Sequence, residues 1–122
     1  MRAYLASTSL MDAQIGRVLD AIDANGLGEN TIIAFAGDNG LAVGQHGLLG
    51  KQSLYEHSIR VPLMLAGPGI PQGARRTAHC YIHDLFPTLC AMTKTPVPPS
   101  VETRDFSPLL TDEHAQVYDS TF

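Results

Sequence analysis

The stretch Thr31–Arg60, TIIAFAGDNGLAVGQHGLLGKQSLYEHSIR, decides the fold that this sequence predicts. It opens with an apolar, β-branched run that reaches Ala36 and has the pattern of a strand covered on both faces. Asp38 and Asn39 follow, and a glycine-rich loop with His46 then leads to Lys51. Open α/β sheets bind their ligands at the carboxyl ends of parallel strands. The stretch therefore predicts a binding site at the end of a buried strand.

The chain on either side of this stretch completes an α/β pattern. Apolar residues recur at helical spacing from Tyr4 to about Ala24, and Gly26 is placed to end that helix in a left-handed conformation. Asp84 is expected to be the N-cap of a later helix. We expect helices at residues 4–24, 51–58 and 85–92 and a second buried strand at residues 63–66. The predicted fold class is α/β, with a partial, mostly parallel sheet flanked by helices.

Composition and charge exclude several classes of function. The 122 residues are 44% apolar and 16% charged, which fits one globular domain at most. The net charge of -4 argues against nucleic acid and anionic membrane surfaces as partners. There is no run of about 20 apolar residues to span a bilayer and no signal-peptide pattern at Met1, so we expect a cytoplasmic chain by default. Cys80 and Cys90 show no metal-binding spacing and are expected to be small buried hydrophobes.

Asp38 and Asn39 admit two interpretations from the residues alone. A carboxylate and an amide carbonyl on adjacent residues are oxygen ligands of the kind that calcium and magnesium prefer. Asp-Asn-Gly is also an ordinary turn sequence. Their position after a buried strand and before a glycine-rich loop with a lysine gives the metal site the same weight as the turn, and both interpretations stay open.

Lys51 and His46 also leave alternatives open. Lys51 can place a compact positive charge on an anionic substrate oxygen, or it can simply be a solubilising surface residue. His46 can be a proton donor, a substrate contact or a brace for the loop, and the brace is the favoured interpretation.

The same residues carry a resemblance to a known family. The central block and its flanks resemble the sulfatases of the alkaline phosphatase superfamily, in the family's order and over nearly the whole chain. The block comprises residues 37–40 (GDNG), 44–47 (GQHG), Lys51, 55–56 (YE) and 60–63 (RVPL). The flanking matches are residues 11–12 (MD), 15–19 (IGRVL), 67–69 (GPG), 84–89 (DLFPTL) and 107–110 (SPLL).

The resemblance implies a fold, a cofactor and a set of roles. It implies that Asp38 and Asn39 are half of the ligand shell of a Ca²⁺ ion, or Mg²⁺ in some members. It implies that Lys51 contacts the sulfate group, while His46 matches a common position without an assigned step. Family members attack the sulfur of a sulfate ester with a hydrated formylglycine and expel the alcohol, which implies a small molecule or a sugar as the substrate.

The chain departs from the family in what it lacks. No Cys/Ser-x-Pro/Ala-x-Arg motif is present to form the nucleophile, and the early Asp-Asp metal pair is absent as well. Residues 1–122 are therefore expected to be a partial sulfatase domain without the nucleophile-bearing N-terminal part, and to be inactive alone. Two alternatives stay open, a phosphonate or phosphodiester hydrolase of the same superfamily and a non-catalytic remnant or interaction module. An incomplete sheet also predicts self-association through its exposed edge.

Overall fold

The computed structural model of the chain describes residues 1–120. These residues form two compact units. The first unit comprises residues 1–35 and 39–68, and the second comprises residues 36–38 and 69–120.

The first element, α1, is a helix at Arg2–Ala24, so the helix predicted from Tyr4 is confirmed and begins two residues earlier. It ends as the sequence indicates, because Gly26 adopts a φ of 66° and the Leu27 N–H donates to the Ile22 carbonyl at 3.0 Å. None of its residues is buried. Among the described residues no helix is both long enough and apolar enough to cross a membrane.

Two short strands, β1 at Ile33–Ala36 and β2 at Leu63–Ala66, pair to form a two-stranded sheet. Both strands were predicted, and β2 has the predicted bounds. The expectation that both faces are buried is wrong for the chain as it stands. Ala34 is exposed and Met64 is 58% exposed, because the described residues supply only this one pair of strands and little to cover them.

The loop between the strands returns close to its own start. The Gly40 N–H donates to the Ser58 carbonyl at 2.9 Å, and the Ala42 N–H donates to the Gly50 carbonyl at 2.9 Å. Ala42 and Ser58 are the buried residues of this loop. A side chain at position 40 would place its Cβ 1.8 Å from the His57 carbonyl oxygen. Only glycine therefore allows the two backbone segments to meet.

The helix predicted at residues 51–58 is much shorter in the structure. Helix α2 covers only Glu56–Ile59, and Tyr55 before it is extended. Ser53 precedes the helix, and its hydroxyl lies 2.8 Å from the Ser58 hydroxyl and 3.3 Å from His57 Nε2. Lys51 consequently lies in a loop.

In the second unit, helix α3 at Leu85–Thr93 confirms the predicted helix and extends it by one residue. Asp84 is its N-cap residue, but its carboxylate makes no capping bond to the helix. The fully buried carboxylate instead accepts hydrogen bonds from the Tyr81 N–H at 2.8 Å, the Arg104 N–H at 3.0 Å and the Tyr118 hydroxyl at 2.9 Å. Asp84 therefore connects three segments of the chain.

A short helix, α4 at Pro108–Thr111, was not predicted, because four residues carry no readable periodicity. Leu109 in this helix and Phe106 before it are buried. The Arg76 guanidinium holds the helix by donating to the carbonyls of Leu109 and Leu110. Both cysteines are free thiols; Cys90 is buried as expected, whereas Cys80 is only half-buried.

The close approach at Gly40 generates a stability prediction. Gly40→Ala should lower the free energy of unfolding by about 1–3 kcal/mol, because the backbone must move to admit the new methyl group. Gly16→Ala is the matched control, since Gly16 lies inside α1 with nothing within 4 Å of the added Cβ. That control should instead stabilise the chain by about 0.5–1 kcal/mol. Urea unfolding measures both, and equal effects would contradict the close approach.

The Asp84 cluster predicts a loss of stability at alkaline pH. Burial, together with the hydrogen bond to Asp84, raises the pKa of Tyr118 above 10.0, so the folded chain favours the neutral phenol. The neutral Tyr118 phenol contributes fully to the free energy of unfolding at a pH below the pKa of tyrosine in the unfolded chain. This contribution is lost as the pH rises through the pKa of Tyr118 in the folded chain. Burial and the nearby Asp84 charge likewise raise the pKa of the Cys80 thiol above 9.0.

We expect the free energy of unfolding to fall between about pH 9 and 11. Tyr118→Phe should be less stable at pH 7, since Asp84 loses a donor, and should show a smaller decrease on going to pH 11. Tyr4→Phe, at an exposed position of α1, serves as the control. Identical pH profiles for the Tyr118→Phe variant and the parent would contradict the role of the Tyr118–Asp84 bond.

Candidate functional site

Two of the predicted site residues meet in the first unit. Lys51 Nζ donates a hydrogen bond to Asn39 Oδ1 at 2.9 Å, across twelve positions of sequence. The Asn39 amide is oriented by its other end, since Nδ2 donates to the Gly40 carbonyl at 2.9 Å. The half-buried Asn39 thus presents its oxygen, the atom that would bind a cation, toward the exposed ammonium group.

This contact is compatible with ligand binding at both residues. An amide oxygen has two lone pairs and an ammonium group has three protons, so each group can make more than one contact. The site can therefore place a fixed positive charge and a neutral oxygen ligand beside one another. Such a pair suits a tetrahedral oxyanion that is shared between a lysine and a cation.

Asp38 lies directly before Asn39, after β1, and is exposed. Its carboxylate and the Asn39 oxygen are hard donors of the type that Ca²⁺ and Mg²⁺ prefer, and Ca²⁺ takes six to eight such donors. Within residues 1–120 no group of three or more His, Cys, Asp or Glu side chains could hold a metal ion. The donor chemistry fits a hard cation, while the number of donors falls short of a complete shell.

His46 is held by aromatic stacking. Its ring stacks on Tyr55 with the centroids 4.2 Å apart, and His57 lies against both rings at 5.8 and 5.6 Å. The backbone of His46 is left-handed, with a φ of 53°, and the same holds for the β-branched Val43 at 49°. Such conformations cost energy and persist where surrounding contacts enforce them. The stacking is what a loop brace requires.

His57 and Ser53 belong to this environment, and sequence reasoning missed them. Ser53 joins the buried Ser58 to His57 by the contacts of 2.8 and 3.3 Å, and His57 in turn touches the His46–Tyr55 stack. The Ser53 N–H also donates to the Lys51 carbonyl at 2.9 Å. The spacing of four positions between this serine and this histidine was the sequence feature that could have indicated their contact. Together these residues fix the segment from which the Lys51 side chain extends.

The second unit has a polar concavity of about 550 Å³ that includes none of the predicted site residues. It is lined by residues 77–79, residues 113–116, Tyr118 and Asp119. Asn39, His46 and Lys51 belong to the first unit, whereas Asp38 is assigned to the second.

Comparison with known proteins gives one family for this stretch. The family model described as Sulfatase matches residues 1–95. A protein named Sulfatase from Formosa agariphila is 37% identical over 93 residues, which are 76% of this chain and 18% of that protein. The match includes the central block from which the site is built.

Solved structures show the same likeness. A protein solved in complex with its substrate D-glucosamine-2-N,6-O-disulfate has a TM-score of 0.86 and 32% identity, over 95% of this chain and 24% of that one. A phosphonate monoester hydrolase from Silicibacter pomeroyi has a TM-score of 0.78 and 30% identity, over 88% of this chain and 21% of that one. The chain thus spans roughly a fifth to a quarter of these three proteins, and the α/β alkaline-phosphatase-like fold is confirmed.

The His46–Tyr55 stack predicts the effect of two matched variants. Tyr55→Ala should lower the free energy of unfolding by about 0.5–1.5 kcal/mol beyond the loss of apolar area, because it removes the stacked ring pair. Tyr55→Phe keeps the ring and should change it by less than about 0.5 kcal/mol. Thermal unfolding compares the two, and the chemical shifts of His46 report directly on the stack. Unchanged His46 shifts in Tyr55→Ala would contradict the contact.

Proposed function

Because the chain belongs to the sulfatase family, we propose that it contributes one part of the active site of a sulfate-ester hydrolase. The observation that carries the proposal is the hydrogen bond of 2.9 Å between Lys51 and Asn39. It joins a cation that can contact sulfate to an oxygen that can bind a metal ion, at the positions where the family motif has these two functions.

Asp38 and Asn39 are the proposed ligands of a divalent cation, with Ca²⁺ favoured over Mg²⁺. When bound, such an ion withdraws electron density from the sulfate oxygens and offsets the charge that develops on them. Asp38 and Asn39 provide two side-chain oxygen donors where six or more are needed, and no cluster of three His, Cys, Asp or Glu side chains lies within residues 1–120, so further ligands have to complete the shell.

Lys51 is the proposed sulfate contact and His46 the proposed brace. The ammonium group donates up to three hydrogen bonds and carries a full charge, so it can bind a sulfate oxygen while it stays bonded to Asn39. The stacked His46 limits the motion of the loop that carries Lys51, which keeps the charge in place. We assign no proton transfer to His46, because its ring contacts are those of a packed side chain.

The nucleophile is not supplied by this chain. Sulfate-ester cleavage in the family begins with attack on sulfur by a hydrated formylglycine, which requires a Cys/Ser-x-Pro/Ala-x-Arg motif that is absent from the sequence. Residues 1–122 alone are therefore a partial domain that binds a divalent cation weakly and does not hydrolyse sulfate esters. The complete site combines this part with the segment that carries the nucleophile.

The substrate class is proposed from the likeness to solved structures. One structural neighbour was solved with a disulfated glucosamine as its substrate. We propose a sulfated sugar for the complete enzyme.

The second candidate is a phosphonate or phosphodiester hydrolase, favoured by the Silicibacter pomeroyi neighbour. Both substrates present a tetrahedral anion to Lys51, so the residues described here serve either reaction. The absent nucleophile motif favours a third candidate, a non-catalytic remnant.

A calcium titration tests the metal proposal. Calorimetry of the purified chain should give weak Ca²⁺ binding, in the millimolar range expected for an incomplete shell. Asp38→Asn should weaken it at least threefold, because a charged ligand becomes neutral. Asp12→Asn, at an exposed position of α1, is the matched control and should leave the affinity unchanged.

An arylsulfate turnover assay on the same samples should show no activity. Turnover by the chain alone would contradict the partial site. Calcium binding that is equally weak in Asp38→Asn and in the parent would contradict the assignment of Asp38 as a ligand.

A further inference from the structure

The tripeptide Asn-Gly-Leu occurs twice in this chain, at residues 25–27 and at residues 39–41. Both copies lie in the first unit. An asparagine that precedes glycine is chemically labile, because glycine has no side chain to keep its backbone nitrogen away from the asparagine amide. The reacting residues and the residue after them are the same in both copies. A large difference between their reactivities therefore has to come from their surroundings in the fold.

The reaction converts asparagine through a cyclic imide. The glycine nitrogen attacks the side-chain carbonyl carbon, the new C–N bond closes a ring, and the side-chain nitrogen leaves as ammonia with the proton of the glycine N–H. Water then opens the ring, which leaves aspartate when the side-chain carbonyl is attacked and isoaspartate when the main-chain carbonyl is attacked. The first step requires that the glycine N–H has left its hydrogen-bond acceptor and that the amide can turn toward it. Local opening of the fold therefore controls the rate.

Asn25 lies at the exposed C-terminal end of α1. The Gly26 N–H donates to the Asp23 carbonyl at 2.9 Å, and Asn25 Nδ2 donates to the Ala21 carbonyl at 2.7 Å. Both acceptors belong to the last turn of the same helix. Apart from the chain neighbours of Gly26, no atom lies within 4 Å of a Cβ built on it, so there is room for the ring to form. Fraying of one helical turn releases the nitrogen and the amide together.

Asn39 is held at both ends of its amide. Oδ1 accepts from Lys51 Nζ at 2.9 Å, and Nδ2 donates to the Gly40 carbonyl at 2.9 Å. The Gly40 nitrogen, which would have to attack, donates its proton to the Ser58 carbonyl at 2.9 Å and lies against the backbone of His57. The ammonium group polarises the amide, which by itself favours attack, so any protection comes from the fixed geometry. These contacts join residues distant in sequence, and they are lost only when the whole loop opens.

We propose that Asn25 is a site of spontaneous conversion to aspartate and isoaspartate, and that closure of the loop protects Asn39 from the same reaction. Conversion at position 25 removes the donor to the Ala21 carbonyl and places a negative charge at the C-terminal end of α1, where the helix dipole disfavours it. The reaction therefore weakens this end of the helix. Conversion at position 39 would change a neutral oxygen ligand into a carboxylate or lengthen the loop backbone, a consequence that rests on the proposed function.

The test is incubation of the purified chain at about pH 8, below the range in which the fold loses stability. Mass spectrometry resolves the exchange of NH2 for OH, and proteolytic cleavage after Glu29 places the two asparagines in separate peptides. In the folded chain Asn25 should be converted at least about tenfold faster than Asn39, because a helix end opens more readily than a closed loop. In urea the two rates should agree within about threefold, since the surroundings are then alike.

A variant of the loop tests the cause of the protection. Ala42 is 1% exposed, so Ala42→Leu forces the loop open without changing either reacting residue. It should speed the conversion of Asn39 at least about threefold and leave the rate at Asn25 unchanged. Ala13→Leu, at an exposed position of α1, is the matched control and should leave both rates unchanged. Circular dichroism checks that both variants stay folded, and if Ala42→Leu unfolds, the comparison of the folded chain with urea decides.

Three results would overturn the proposal. One is equal conversion of the two asparagines in the folded chain, or faster conversion of Asn39. Another is an unmodified Asn25 in the folded chain after a period that converts it completely in urea. The third is an Asn39 rate that does not respond to Ala42→Leu in a folded variant. Neither rate requires a metal ion or a sulfate ester, so failure of the calcium titration would contradict the proposed function and leave this proposal intact.

Discussion

The first unit depends on the approach of the Gly40 backbone to His57 and Ser58. The hydrogen bond from the Gly40 N–H to the Ser58 carbonyl closes a loop of about twenty residues, and a Cβ at position 40 would lie 1.8 Å from the His57 carbonyl oxygen. Because the loop is closed there, its early and late residues become neighbours. Asn39 and Lys51 can then share a hydrogen bond although twelve positions separate them. The Ala42 N–H, which donates to the Gly50 carbonyl, closes a shorter loop directly before Lys51, so both closures position the candidate site.

Polar groups organise each unit more than apolar burial does. The buried apolar side chains are few among the described residues, with Pro87, Cys90, Phe106 and Leu109 in the second unit and Ala42 in the first. In the second unit Asp84 accepts three hydrogen bonds and Thr88 links its helix to the Phe106 N–H at 2.9 Å. Buried polar groups that are fully paired specify a unique arrangement, whereas unpaired ones are costly. Small apolar cores and well-paired polar centres are consistent with a stretch that is one part of a larger domain in its relatives.

Much of the fold could be predicted from the sequence, because a long helix repeats its apolar pattern many times. Helix α1 was found almost to its first residue, since 23 residues give many repeats of the helical pattern. The strands were predicted as well, but their burial was not. An apolar run indicates that a strand is suited to burial on both faces, whereas each of these strands has only one neighbouring strand among the described residues. Helices α2 and α4 were misjudged or missed, since four residues contain about one turn and their formation depends on neighbours.

The sequence by itself determined the family, the fold class and the chemical character of the site. These follow from the residue types and their order, because a carboxylate, an amide, a lysine and a set of glycines have the same chemistry whatever the conformation of the chain. Only the tertiary structure decided that Lys51 meets Asn39, that His46 stacks on Tyr55, and that Asp84 pairs with Tyr118 where a helix cap was expected. These are contacts between residues distant in sequence or held by irregular backbone. No local pattern encodes them, since they arise when loop closure brings the groups within hydrogen-bonding and van der Waals distance.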